Sequence, residues 1–182
     1  MKQSHARANE TMSGTLKYDF RPFTKKDLPL MAKWLAEPHV AKWWGDKDEE
    51  LADLAKHIDS ISVEPFIAEM NGKPIGYIQS YDPHMEDDHP YQDQPFGTLG
   101  IDLSIGDPLL IGKGHGPRLI EAFVLMLFQE GCRRVIIDPD PSNIAAIRAY
   151  EKAGFSAFDT RVSIYGPALM MARDATEEEM NS

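Results

Sequence analysis

The sequence predicts an α/β (α+β) fold, one mixed sheet layered with helices. Three observations carry that expectation. Strand-like and helix-like stretches alternate along the whole chain. Asn71-Gly72 sits between two apolar runs and supplies the positive φ of a tight hairpin turn. Gly112, Gly114 and Gly116, at every second position, run straight into a helix with a broad apolar stripe.

Each element follows from local pattern. "LKYDFRPF" at 16–23 reads as a strand, and "KKDLPLMAKWLAEPHVAKWWG" as a helix in two pieces broken near Pro38. "DKDEELADLAKHIDSI" at 46–61 is an amphipathic helix with Leu51, Leu54, Ala55 and Ile58 on one face. "PFIAEM" at 65–70 and "PIGYIQSY" at 74–81 form the hairpin, and an acid- and proline-rich loop at 82–97 leads to the strand "TLGIDLSI" at 98–105. Past the glycine turn, Leu119, Ile120, Phe123, Val124, Leu127 and Phe128 line one helix face. "CRRVIID" at 132–138 is a strand. "PSNIAAIRAYEKAGF" is a helix opened by Pro141 and closed by Gly154. "SAFDTRVS" and "PALMMAR" are strands, and "DATEEEMNS" is a tail with room for a short helix.

A length of 182 residues suits one domain, set at 15–174 between a disordered segment at 1–14 and a tail at 175–182. The longest apolar run, "AFVLMLF", is too short to cross a bilayer, and the polar start lacks a signal core. The single cysteine, Cys132, allows no intrachain disulfide. The expectation is a soluble, cytoplasmic protein, monomer or homodimer, with no membrane partner. The net charge of -10 repels phosphate backbones and excludes nucleic acid as the natural partner. The same charge either serves solubility or favours a cationic small molecule.

Against that global charge, Lys113, His115 and Arg118 cluster at the glycine turn. Uncovered glycine amides at a helix start make an anion cradle, helped by the helix dipole. The alternative is a glycine-rich connection that binds nothing. The spacing is G-x-G-x-G, so neither a P-loop nor a dinucleotide fingerprint fits.

"IGKGHGPRL" resembles the acetyl-coenzyme A motif of the GCN5-related N-acetyltransferases, Q/R-x-x-G-x-G/A, with Ile111 at the Q/R position. "DPDPSNIAAIRAYEKAGF" resembles the family's second mark. With "EPHVAKWWG", "PFIAEMNGKPIGYIQSY" and "GIDLSIG", the chain is similar to the aminoglycoside 6′-N-acetyltransferase branch over about residues 16–172. The resemblance implies a mixed, mostly antiparallel sheet with helices on both faces and a splayed strand pair at the acetyl-coenzyme A cleft. It implies acetyl-coenzyme A as co-substrate, no metal, and a polycationic amine as acceptor. In related enzymes of this layout the acceptor is instead a siderophore hydroxylamine, and a non-catalytic acyl-coenzyme A-binding module is the reading from another class.

Acetyl transfer to an amine needs a proton acceptor for the amine, donors for the developing oxyanion and a proton for the departing thiolate. The resemblance implies that Ile111, Gly112, Lys113, Gly114, His115 and Gly116 hold the diphosphate. It gives the thioester carbonyl to amides near Leu103 and Ile105, the pantetheine to Asn143, and general acid chemistry to Tyr150. Asn143, Ile147 and Tyr150 share one helix face, with about 10 Å from first to last along the axis. Without the resemblance, Tyr150 reads rather as a core residue with its hydroxyl at the surface. Asp102 interrupts an otherwise apolar strand, which fits a cleft wall; the resemblance makes it the candidate base, direct or through water, or the group that binds the ammonium, while plain alternation would make it an outward strand residue.

Asp138 stands at a strand's carboxyl end, where clefts form, and the resemblance has it contact the acceptor. Capping in "DPDPSN" competes for it, with Asp140 as the rival. Of Trp43 and Trp44, one is core and the other a floor for a sugar ring or ammonium; the resemblance favours Trp44. Glu64, Gln79 and Tyr81 are further acceptor-side candidates, and the acidic loop reads as solvated or as an attractor for a polycation.

Overall fold

The computed structural model describes residues 16–163 and 166–181. The disorder expected for residues 1–14 lies outside them. Seven strands form one sheet: β1 Tyr18–Pro22, β2 Val63–Met70, β3 Lys73–Tyr81, β4 Thr98–Ile105, β5 Arg134–Ile137, β6 Ser156–Ser163 and β7 Gly166–Asp174. Their order is β1-β2-β3-β4-β5-β7-β6. Only β4 and β5 run parallel. The helices are α1 Leu28–Leu35, α2 Pro38–Trp44, α3 Lys47–His57, α4 His115–Gln129, α5 Ile144–Lys152 and α6 Glu177–Met180.

Local chemistry sets the boundaries. Asn71 (φ 51) and Gly72 (φ 77) make the two left-handed positions of the β2–β3 turn. Pro38 occupies the first turn of α2, where its missing N–H costs nothing. Asp46 caps α3 by accepting from the Asp48 and Glu49 amides, which typically contributes about 1 kcal/mol. The helix expected from Pro141 starts at Ile144 instead. Residues 140–143 are spent on a turn: Ser142 N donates to Asp140 Oδ1 at 2.7 Å, and Asn143 Oδ1 accepts from Ala146 N at 3.2 Å.

Both sheet faces are covered. On one, the predicted stripe of α4 is buried, and the rings of Phe20 and Phe66 meet Phe123 edge-on at 4.9 and 5.5 Å. On the other, α1 to α3 bury Met31, Trp34, Val40 and Leu54 against Ile67 and Tyr77. A third cluster, with Tyr81, Tyr91, Ile136 and Met170, lies under the loop at 82–97.

The parallel pair β4·β5 creates the one opening in this sheet. Pairing runs only over Thr98↔Arg134, Leu99↔Val135 and Gly100↔Ile136. Beyond it, β4 continues to Ile105 with β3 as its sole neighbour, and β5 stops at Ile137. The splayed pair implied by the resemblance is therefore present.

Phe123 is fully buried at the centre of the α4 interface. Phe123→Ala is expected to destabilise the fold by about 3–5 kcal/mol, read from the urea unfolding midpoint.

Candidate active site

A cavity of about 410 Å³ opens at the split between β4 and β5. Its walls come from the end of α2 (Trp43, Trp44), from α3 (Glu50, Asp53, Leu54, His57), from Gln79 on β3, and from Asp102 and Leu103 on β4. Residues 137–140, Asn143 at the cap of α5 and Tyr150 within α5 close the other side. Register explains why two acids face each other here. Extending Gly100↔Ile136 by two residues on each parallel strand puts Asp102 opposite Asp138, and the two-residue period puts both on the same face. Five carboxyl groups line the cavity, and no lysine or arginine does among the described residues.

That crowding shifts the acids upward. Burial, the neighbouring Asp138 charge and Glu50 push Asp102 up to about 7, while Gln79 opposes them by donating to Asp102 Oδ2 at 2.9 Å. Burial raises Asp138 as well, offset by the hydroxyl of Tyr91, which donates to Asp138 Oδ2. Glu50 is raised by burial and then by Asp53 and Glu49. Burial, then Asp102 and Asp138, push the Tyr150 hydroxyl well above its ordinary value, so it stays protonated. Tyr150 is 8% exposed, and its ring tilts against Phe155.

The rivalry in "DPDPSN" is resolved by division of labour. Asp140 takes the turn, accepting also from the Ser142 hydroxyl at 2.6 Å, and Asn143 takes the helix cap. Asp138 is left for the cavity. Just past β4, Gly106 N donates to Ile75 O on the β3 side. By antiparallel alternation, the N–H groups of Leu103 and Ile105 then point the other way, into the split. His39 Nε2 donates to Ile105 O at 2.8 Å and fixes that stretch.

The glycine turn lies at the start of α4. Gly112 (φ 74) and Gly114 (φ 78) hold left-handed conformations with open space where a Cβ would stand, and residues 111–114 are exposed. Gly114 is the N-terminal cap of α4. Gly116 differs: its φ is not left-handed, and a Cβ there would make an ordinary 3.9 Å contact with the Ala149 Cβ of α5. Exposed amides at a helix start suit the diphosphate of a coenzyme A thioester. Lys113 is exposed beside them, whereas the His115 ring shares a 2.8 Å hydrogen bond with the Tyr18 hydroxyl. Ile111 is half-exposed.

Both tryptophans line the cavity. Trp44 meets Tyr77 edge-on at 5.7 Å, and Trp43 is the more exposed, with Lys42 Nζ 4.6 Å above its ring. Gln79 belongs to the cavity, but Glu64 and Tyr81 line a separate one of about 310 Å³. Glu50, Asp53 and His57 went unread as site residues: on an isolated amphipathic helix they look like its solvated face. Tyr91 was also missed, hidden in a loop whose pattern signals only turns. That loop is packed down: Tyr91 is buried, and Arg161 of β6 binds Asp93 at 2.6 Å and Pro90 O at 3.1 Å. Cys132 is buried with Sγ 3.1 Å from Arg134 O, and burial raises its pKa, so it is a poor nucleophile. Among the described residues no three His, Cys, Asp or Glu side chains group as a metal site. None of the described helices is long and apolar enough to cross a membrane.

A split sheet, a bare glycine turn and a protonated tyrosine facing carboxylates define an acyltransferase. The family pattern "Acetyltransferase (GNAT) domain" matches residues 24–162. The chain belongs to the GNAT acetyltransferases. It is 38% identical over 162 residues to the aminoglycoside N(6′)-acetyltransferase type 1 of Klebsiella pneumoniae, covering 84% of this chain and 81% of that protein. It is 32% identical over 135 residues to the lysine N-acyltransferase MbtK of Mycolicibacterium paratuberculosis, covering 70% of this chain and 60% of that protein. The solved structure of AAC(6′)-Ib with coenzyme A and kanamycin superposes with a TM-score of 0.80 at 33% identity, over 91% of this chain and 98% of that one.

Folding lifts Asp102 from the ordinary carboxylate value near 4 to about 7. Between those values the native state keeps a proton that the unfolded chain has released, so stability falls as pH rises through that window. Asp102→Asn is expected to flatten this fall in thermal midpoint between pH 4 and 7. An unchanged slope would contradict the assignment.

Proposed function

We propose that this chain acetylates the 6′-amine of an aminoglycoside-like polycation, using acetyl-coenzyme A. The observation that carries the reading is the acid-lined split itself, with Asp102 and Asp138 facing each other beside the protonated Tyr150. Acetyl-coenzyme A supplies the acetyl group as a thioester. The amides of Gly112 to Gly116, Lys113 and the positive end of α4 bind its diphosphate. Ile111 adds apolar contact there, and His115 contributes its backbone amide. Asn143 binds the pantetheine with the part of its amide that is not capping α5.

The amine must be neutral to attack. Asp138 and the ionised fraction of Asp102 draw the ammonium in, and Asp102 takes its proton, directly or through one water. A carboxyl poised near pH 7 is suited to that exchange. The amides of Leu103 and Ile105 stabilise the oxygen of the carbonyl under attack. The N–C bond forms, the C–S bond breaks, the Tyr150 hydroxyl passes its proton to the leaving sulfur, and the second proton shed by the acylated nitrogen restores that hydroxyl. Trp44 and Trp43 give the sugar rings an apolar floor. The protein acts in the cytoplasm, as a monomer or a homodimer, on a small cationic amine and on neither nucleic acid nor membrane.

The likeness to a lysine N-acyltransferase keeps a second acceptor in view. Glu50, Asp53 and Asp140 around the cavity favour a polycation over an acceptor with one charge.

Release of free thiol from acetyl-coenzyme A with kanamycin, lysine and hydroxylamine acceptors tests the reading, with the acetylated position assigned by NMR. Cofactor binding with no acetylated product from any amine would make the protein a binding module. Tyr150→Phe is expected to lower kcat by about 100-fold or more while leaving coenzyme A affinity near normal. Gly114→Val, which forces a side chain into the left-handed position and over the amides, is expected to raise the KM for acetyl-coenzyme A by roughly tenfold, seen in initial rates.

A further inference from the structure

Behind Asp102 runs a short buried chain of donors. The Tyr77 hydroxyl donates to Gln79 Oε1 at 2.6 Å, and Gln79 Nε2 donates to Asp102 Oδ2 at 2.9 Å. Tyr77 is fully buried and Gln79 is 8% exposed. The order of strands makes the chain possible: Gln79 lies directly opposite Asp102 across β3·β4, and Tyr77 is two residues back on the same face.

An amide side chain has two ends, and either could face Asp102. Tyr77 decides which. Burial pushes its hydroxyl far above the ordinary tyrosine range, so it is a donor at every working pH. A hydroxyl donating to Oε1 leaves only the NH₂ end for the carboxylate. Turned over, Gln79 would set one acceptor against another at 2.9 Å. Phe23 and Trp44 hold the Tyr77 ring edge-on, so the donor cannot swing away.

We propose that Gln79, oriented by Tyr77, is a positioning residue that holds Asp102 ionised through Oδ2 and leaves Oδ1 to face the acceptor amine. Among the described residues no side chain or backbone group hydrogen-bonds Oδ1. The groups that act on Asp102 are few. Asp138 beyond β5 and Glu50 on α3 oppose its ionisation, and the charge of Asp102 in turn helps keep the hydroxyls of Tyr77, Tyr81, Tyr91 and Tyr150 protonated. Among them the Gln79 amide alone favours the charged form of Asp102. The relay therefore sets the pH below which the acceptor acid stops working.

This inference rests on the proposed role of Asp102 and is tested separately from it. The acid limb of kcat/KM for kanamycin is measured in the wild type, Gln79→Leu and Tyr77→Phe, with Asp102→Asn as the reference. Gln79→Leu is expected to move that limb up by about one pH unit, a roughly tenfold loss below the limb, with the KM for acetyl-coenzyme A unchanged. Tyr77→Phe, which keeps the ring and frees the amide to turn, is expected to move it the same way by less. A limb that stays put in both variants, or a loss equal at all pH values, overturns the relay. If Gln79→Leu fails to fold, Tyr77→Phe alone decides. If Asp102→Asn is fully active, the role of Asp102 fails first, and the relay with it.

Discussion

Everything at the working end of this protein depends on two parallel strands parting after three paired residues. Antiparallel neighbours continue on both sides, so the sheet survives the gap. Inside it, β4 offers backbone N–H groups with no strand to receive them, and the chain after β5 turns away carrying an acid. Unpaired backbone donors are costly when buried in apolar surroundings. Here they border a polar cavity, where a carbonyl oxygen can take them up. The same parting admits Tyr150 from α5 and the tryptophans from α2. The gap is thus the common origin of the donors, the acids and the floor.

The second constraint is electrostatic. Five carboxyl groups around about 410 Å³ oppose one another, and the fold tolerates them by giving individual acids their own donors. Gln79 serves Asp102, Tyr91 serves Asp138, and Ser142 satisfies Asp140. The arrangement trades native stability near neutral pH for attraction of a cation, as strained sites often do. At the start of α4 the charge preference reverses, because exposed glycine amides favour an anion. In the proposed reaction a cationic acceptor and an anionic carrier would therefore be drawn to different places on the protein.

Much of this was legible before folding. The strand and helix alternation, the Asn71-Gly72 turn and the α4 stripe depend on local periodicity and turn chemistry, and they appear where the sequence places them. Asp102 stood out because an acid interrupts an apolar strand, and Asp138 because it ends one. The start of α5 slipped from Pro141 to Ile144, since Asp140 and Asn143 could each cap a turn and only three-dimensional packing chose between them. Glu50 and Asp53 were invisible for a different reason. Acids on the polar side of an amphipathic helix signal solvent, and nothing local says that the solvent there is a ligand cavity. Tyr91 reaches Asp138 across 47 residues of chain, a distance no periodicity spans.

That long reach has an evolutionary corollary. Asp138 is steadied by a loop clamped to β6 through Arg161, whereas the glycine turn lies on another element altogether. Insertions or deletions between residues 82 and 97 would re-aim Asp138 without disturbing the glycine turn at the start of α4. One surface segment can therefore be trimmed or lengthened to reshape the acid side of the cavity while the start of α4 stays as it is.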